Sequence, residues 1–174
     1  MARMEPLSAG EADPSVRPDF EAFQAARGNV PNLFRTLARR PGLMRATAAF
    51  LREASAPGEV PARLKELIAL RVSRANGCAY CLASHTRLAR AAGATDADLR
   101  AVEDQGGAPF PEPERAALLV ADAVAAVGGR VPDALYARAR RSWSETAMVE
   151  VVAMAAAFAL FNRLANALEV EVTA

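Results

Sequence analysis

Residues 65–93 read KELIALRVSRANGCAYCLASHTRLARAAG, and this stretch decides the fold. Upstream of the glycine, Leu64, Leu67, Ile68 and Val72 recur every three or four residues, the spacing of an amphipathic helix and not the alternation of a strand. Asn76-Gly77 breaks that rhythm, because glycine supplies the left-handed residue on which helices end. A second run starts at about Cys78 and stops before Gly93. The stretch therefore predicts two helices, one from Pro61, which suits a first helical position, to Arg74, and one from Cys78 to Ala92. They fold back at Gly77 as an antiparallel hairpin.

The flanking sequence carries the same period, so the chain reads as all-α. Helices are expected near 18–27, 31–40 and 42–55, punctuated by Gly28, Pro31 and Pro41. After the hairpin, Thr95 and Asp98 cap a short helix through Glu103, and Gln105 to Pro113 reads as a loop. Further helices are expected near 112–127 and 132–141. Ser142 with Glu145 forms a capping-box pattern ahead of a long helix at about 144–168. The first 17 residues, polar and proline-bearing, are expected as a flexible N-terminal arm, and residues 18–174 as a single helical domain.

Charge excludes some functions. With 21 basic and 20 acidic residues the formal charge is +1, and the positive residues are scattered, so no nucleic-acid partner is expected. The longest apolar run, Met148 to Phe161, is interrupted by Glu150 and falls short of the roughly 20 residues that span a bilayer. It is expected as a buried helix, with no membrane association. The N-terminal residues lack the apolar segment of a secretory leader, and a cytoplasmic location is expected.

A faint internal repeat is present. VPNLFRTLARR at 30–40 resembles VPDALYARARR at 131–141, and Glu66-Leu67-Ile68-Ala69-Leu70 resembles Glu150-Val151-Val152-Ala153-Met154. Extending the second match places Asn162 where Cys78 stands and Ala165 where Cys81 stands.

Both cysteines and the only histidine lie in the quoted stretch. Cys78, Cys81 and His85 are three and four residues apart, which puts them on one face of a helix. In the first turn, Cys78 sits where unpaired amides and the helix dipole lower a thiol pKa. Cys81 is within reach of His85, which can take its proton directly or through a water. Antiparallel pairing about Gly77 brings Glu66 opposite residue 88, one turn from His85, where a carboxylate orients the imidazole. The relay so built is Glu66, His85, Cys81, with Cys78 as partner thiol. The competing reading makes the cysteines small hydrophobes of the core. A structural zinc site lacks its second ligand pair, and covalent haem needs histidine directly after the second cysteine, where this chain has Leu82. Neither metal nor cofactor is expected.

Glu66, eleven residues, CxxC and a histidine four further on resemble the carboxymuconolactone decarboxylase and AhpD-like superfamily of alkylhydroperoxidases. The likeness persists in NVPNLFRTLARRPGL and FALFNRLANAL. It implies an AhpD-like helical bundle with CxxC at the start of a helix after a hairpin turn, assembled as a homo-oligomer (dimer, trimer or hexamer). The implied activity is that of a thiol-dependent hydroperoxidase or disulfide oxidoreductase in antioxidant defence, acting on a peroxide and reduced by an external dithiol or protein. By position, Cys81 attacks the peroxide, Cys78 resolves, and His85 with Glu66 relays the proton. The AhpD branch carries histidine just before the second cysteine, and here that place is Tyr80. A carboxymuconolactone decarboxylase-type lyase, in which the thiols are incidental, and a non-enzymatic helical assembly module are the alternatives.

Overall fold

The hairpin at Gly77 is the centre of the molecule. Its first arm, α4 (Ala62–Ala75), buries Leu64, Leu67, Ile68, Ala69, Leu70 and Val72, so apolar residues cover more than one of its faces. Such a helix must be surrounded. In the computed structural model, which describes residues 2–103 and 110–173, α4 packs against α5 (Ala79–Ala91), α7 (Glu112–Ala125) and α9 (Glu145–Leu168). A short 3-10 turn at Pro14–Val16, α1 (Arg17–Arg27), α2 (Asn32–Leu37) and α3 (Pro41–Ser55) precede it. The helices α6 (Asp96–Glu103) and α8 (Asp133–Arg140) complete the set, and no strand occurs among the described residues. The fold is all-α, as the periodicity predicts.

Helix α9 is long and apolar enough to cross a membrane, yet half of its apolar stretch is buried inside the molecule. It supplies Met148, Val151, Met154, Phe158 and Phe161 to the core, with Ala147, Ala155, Ala157 and Ala165 giving neighbouring helices room to approach. Two buried cations tie this core together. Arg71 of α4 makes a two-toothed pair with Asp122 of α7, both contacts at 2.7 Å. Lys65 reaches Glu150 of α9 at 2.9 Å and donates to the Ala56 carbonyl at 2.6 Å. The same Glu150 accepts from the backbone N–H of Glu59 and of Val60, at 2.9 and 3.1 Å. One carboxylate thus pins the α3–α4 connection to α9. Gly58 fits there because a Cβ would lie 2.3 Å from a Glu150 oxygen.

Several boundaries differ from expectation. Pro61 and Pro31 are extended N-caps and not first helical residues. Helix α2 stops at Leu37 instead of running to residue 40, because Arg40 precedes Pro41 and is driven out of the helical region, to φ −127° and ψ 85°. Ser144, not Ser142, caps α9, accepting from the Ala147 amide at 3.0 Å; the Ser142 amide closes the turn after α8 on the Ala139 carbonyl. The Thr95–Asp98 box does form, with reciprocal bonds of 3.1 and 2.8 Å. Most of the loop expected at Gln105 to Pro113 lies outside the described residues.

The segment expected as an arm lies against the helices. Ala12 and Val16 are buried, and the Leu7 carbonyl accepts from Arg35 Nε at 2.7 Å. The halves of the faint repeat share a local plan: Pro31 and Pro132 are both extended caps of short helices, each followed closely by a longer one.

Candidate active site

Gly77, at φ 61°, turns the chain between α4 and α5. Its amide and that of Cys78 bond the Arg74 and Ser73 carbonyls at 3.1 and 2.9 Å, closing the end of α4. Cys78 is then the N-cap of α5 and not a residue of its first turn. Its Sγ accepts from the Cys81 amide at 3.3 Å, doing with sulfur what a serine oxygen does at other helix starts. Both cysteines are free and buried.

Ionisation of the pair is lopsided. The Cys78 thiol is drawn down to about 7, chiefly by the hydrogen bond from the Cys81 side chain, against the cost of burial. The Cys81 amide and Asn162 add to the lowering. Cys81 is pushed well up, because it donates to Cys78, because it is buried, and because a charge on Cys78 repels its own. The first proton to leave the pair therefore exposes charge on Cys78.

Asn162 of α9 supports this arrangement from below. Fully buried, it donates through Nδ2 to Ser73 Oγ and accepts at Oδ1 from Asn76, both at 3.0 Å. Asn162 is the residue that the internal repeat aligns with Cys78, and the fold brings the two positions together.

His85 lies two turns into the same helix, 6% exposed, with Nδ1 2.7 Å from Glu66 Oε2. Antiparallel pairing predicted this neighbourhood, one turn off. A carboxylate on Nδ1 fixes that nitrogen as the proton-bearing one and leaves Nε2 as the exchangeable site. The edge of the ring meets Phe158, centroids 4.5 Å apart, which holds its plane. The basic residues beside Glu66 in sequence are occupied elsewhere: Arg63 by Asp98 and Glu114, Lys65 by Glu150.

Tyr80 is engaged at α2. Its hydroxyl accepts from the Leu33 amide at 3.1 Å, at the start of α2, and burial raises its pKa. It latches α5 to α2.

Two hollows flank His85. One, of about 200 Å³, is walled by Phe23, Ala48, Leu51 and Met154 and reaches Glu66 and His85. A smaller one, of about 20 Å³, touches Cys81, His85, Tyr80 and Phe158. Cys78 lines neither, so Cys81 is the sulfur on the cavity side. Arg27 lines both hollows and was not among the residues that the sequence singled out; nothing in a local motif marks a residue so far upstream.

Residues 41–123 match the model of the carboxymuconolactone decarboxylase family. The chain is 35% identical over 106 residues to the uncharacterized protein YdfG of Bacillus subtilis, spanning 60% of this chain and 72% of that one. It is 32% identical over 93 residues to the alkyl hydroperoxide reductase Rv2159c of Mycobacterium tuberculosis, spanning 53% of this chain but 27% of that protein. Among solved structures, an uncharacterized peroxidase-related protein with an alkylhydroperoxidase AhpD core from Ralstonia eutropha superposes with a TM-score of 0.88. It has 26% identity and covers 99% of this chain and 92% of its own. The debrominase Bmp8, in complex with 2,3,4-tribromopyrrole, gives a TM-score of 0.86 at 26% identity over 98% and 91%. The chain belongs to the carboxymuconolactone decarboxylase family.

Proposed function

We propose that the protein is a thiol-dependent hydroperoxidase, in which Cys81 attacks the peroxide, Cys78 resolves the product and His85 with Glu66 moves the proton. The observation that carries this reading is that His85, held by Glu66 at 2.7 Å, lines a hollow that also reaches Cys81, one of two free, adjacent thiols. An inert pair of core cysteines has no use for a carboxylate-oriented imidazole beside it. The alkyl hydroperoxide reductase and the peroxidase-related structure among the relatives point to the same chemistry.

The pair loses one proton near neutrality, which His85 takes at Nε2, and the charge rests on Cys78. Cys81 faces the cavity, and passing its remaining proton to Cys78 makes it the attacking thiolate. Its sulfur bonds the terminal oxygen of ROOH while the O–O bond breaks. The leaving RO⁻ takes a proton from His85, so the peroxide is reduced to ROH and Cys81 is oxidised to a sulfenic acid. Cys78 then attacks that sulfur, water departs, and the resulting disulfide is reopened by an external dithiol. The apolar walls of the larger cavity suit the R group of an organic hydroperoxide.

Incubating the reduced protein with cumene hydroperoxide should consume two thiols per chain, and dithiothreitol should restore them. Full turnover after Cys81→Ser combined with none after Cys78→Ser would reverse the assigned roles, and turnover untouched by alkylation of both thiols would end the reading. Reductive dehalogenation is the second reading, favoured by the overlay with the debrominase. Thiol-dependent bromide release from a bromopyrrole, with cumene hydroperoxide left intact, selects it.

A further inference from the structure

The two hollows beside His85 share three residues: Leu51, His85 and Arg27. Arg27 is the last residue of α1, and Gly28, at φ 78°, turns the chain away immediately after it. Its guanidinium is half-buried, and among the described residues it makes no hydrogen bond or ion pair. Arginine does not give up its charge in proteins, and its five N–H groups form a planar fork suited to oxygen anions. A guanidinium left in this state loses hydration without gaining a partner. Burial works against its charge, and only the more distant fields of Glu66 and Tyr80 work for it. The other charged groups on the larger cavity are engaged. Glu66 is on His85, and Asp19 lies 3.7 Å from Arg52.

We infer that Arg27 is the oxyanion-binding residue of this site, placed to meet the negative charge that develops on the substrate's leaving oxygen. The inference rests on the hydroperoxidase reading and deepens it. In the attack by Cys81, the S–O bond forms and the O–O bond breaks, so charge moves from sulfur to the departing alkoxide. With R in the apolar cavity and Cys81 at the smaller hollow, that oxygen would fall between them, and Arg27 lines both hollows. Arg27 stabilises the charge as it grows, and His85 supplies the proton that turns RO⁻ into ROH. Among the described residues the fork has no partner, and the charge it meets exists only as the O–O bond breaks, so its binding energy goes to the transition state.

The test compares wild type, Arg27→Met and Arg27→Lys as full chains, reduced and rid of excess dithiol. Single-turnover oxidation by cumene hydroperoxide should slow by roughly 10²-fold in R27M and recover in part in R27K. Alkylation of the thiols by neutral iodoacetamide should stay within about threefold of wild type, which a merely misfolded site would not allow. R27M that oxidises at the wild-type rate overturns the inference, as does a parallel loss of alkylation. A wild type that leaves cumene hydroperoxide untouched refutes the hydroperoxidase reading instead. The anion site then stands or falls on iodoacetate: its rate relative to iodoacetamide should be roughly 10-fold higher in wild type than in R27M, and equal ratios overturn it.

Discussion

The thiol pair should leave a measurable imprint on stability. In the unfolded chain both cysteines titrate near 9.0, whereas in the folded protein Cys78 is drawn to about 7 and Cys81 is pushed up. Below pH 7 both states hold both protons, and the pair contributes no pH dependence. Between 7 and 9 the folded protein has lost one proton and the unfolded chain none, so stability rises with pH. Two pH units at 1.36 kcal/mol each, less the half-ionisation of both unfolded thiols at pH 9, leave about 2 kcal/mol. Above 9 the unfolded chain sheds both protons while Cys81 keeps its own, and the gain declines. Urea unfolding under reducing conditions, for wild type and for a Cys78→Ser/Cys81→Ser reference, isolates this contribution from every other titrating group. The difference between them should widen by about 2 kcal/mol from pH 6 to about pH 9. Thiolate ultraviolet absorbance should show a single sulfur titrating at about 7, and Cys81→Ala, which removes the main hydrogen bond to Cys78, should move that midpoint upward. A flat difference, or two thiols titrating together near 9, refutes the lopsided pair.

Other residues give sharper local tests. Glu66→Gln keeps an acceptor for His85 Nδ1 but removes the charge; turnover with cumene hydroperoxide should fall about 10²-fold with KM little changed, and an unchanged kcat refutes the relay. Tyr80→Phe strips the acceptor from the Leu33 amide, so urea unfolding should register a loss of about 1–3 kcal/mol while the thiol midpoint stays in place. Lys65→Met leaves Glu150 without its buried cation, and a loss of about 3–5 kcal/mol is expected, with a cost below 1 kcal/mol speaking against the pin on the α3–α4 connection.

The parts of this molecule that local chemistry controls were readable in advance. Gly77 announces the hairpin because only a left-handed residue ends α4 there, and counting back from it brings Glu66 to His85 within one turn. The errors fall where neighbours compete at helix ends. Ser142 and Ser144 both have the chemistry of a cap, and the turn closed on Ala139 takes Ser142 out of the contest. Arg27 is a different kind of miss. An arginine at the end of an amphipathic helix ordinarily complements the helix dipole, and only the tertiary fold, which brings residues of α1, α3, α4, α5 and α9 around one hollow, makes it part of a cavity. Asn162 stands between these cases, marked faintly by the repeat but given a role only when α9 lies against the hairpin.

The sulfur cap on α5 ties local folding to redox state. A charged N-cap acceptor holds a helix start more firmly than a neutral one, by about 0.5–2 kcal/mol. Forming the Cys78–Cys81 disulfide discharges that sulfur, so oxidation loosens the very turn that presents the bond. The Cys81 amide should then exchange its hydrogen faster in the oxidised protein than in the reduced one, while amides deeper in α4 keep their protection. A reductant would meet its target in the state where the backbone yields most easily, and the reduced enzyme would close that door as it recovers its charge.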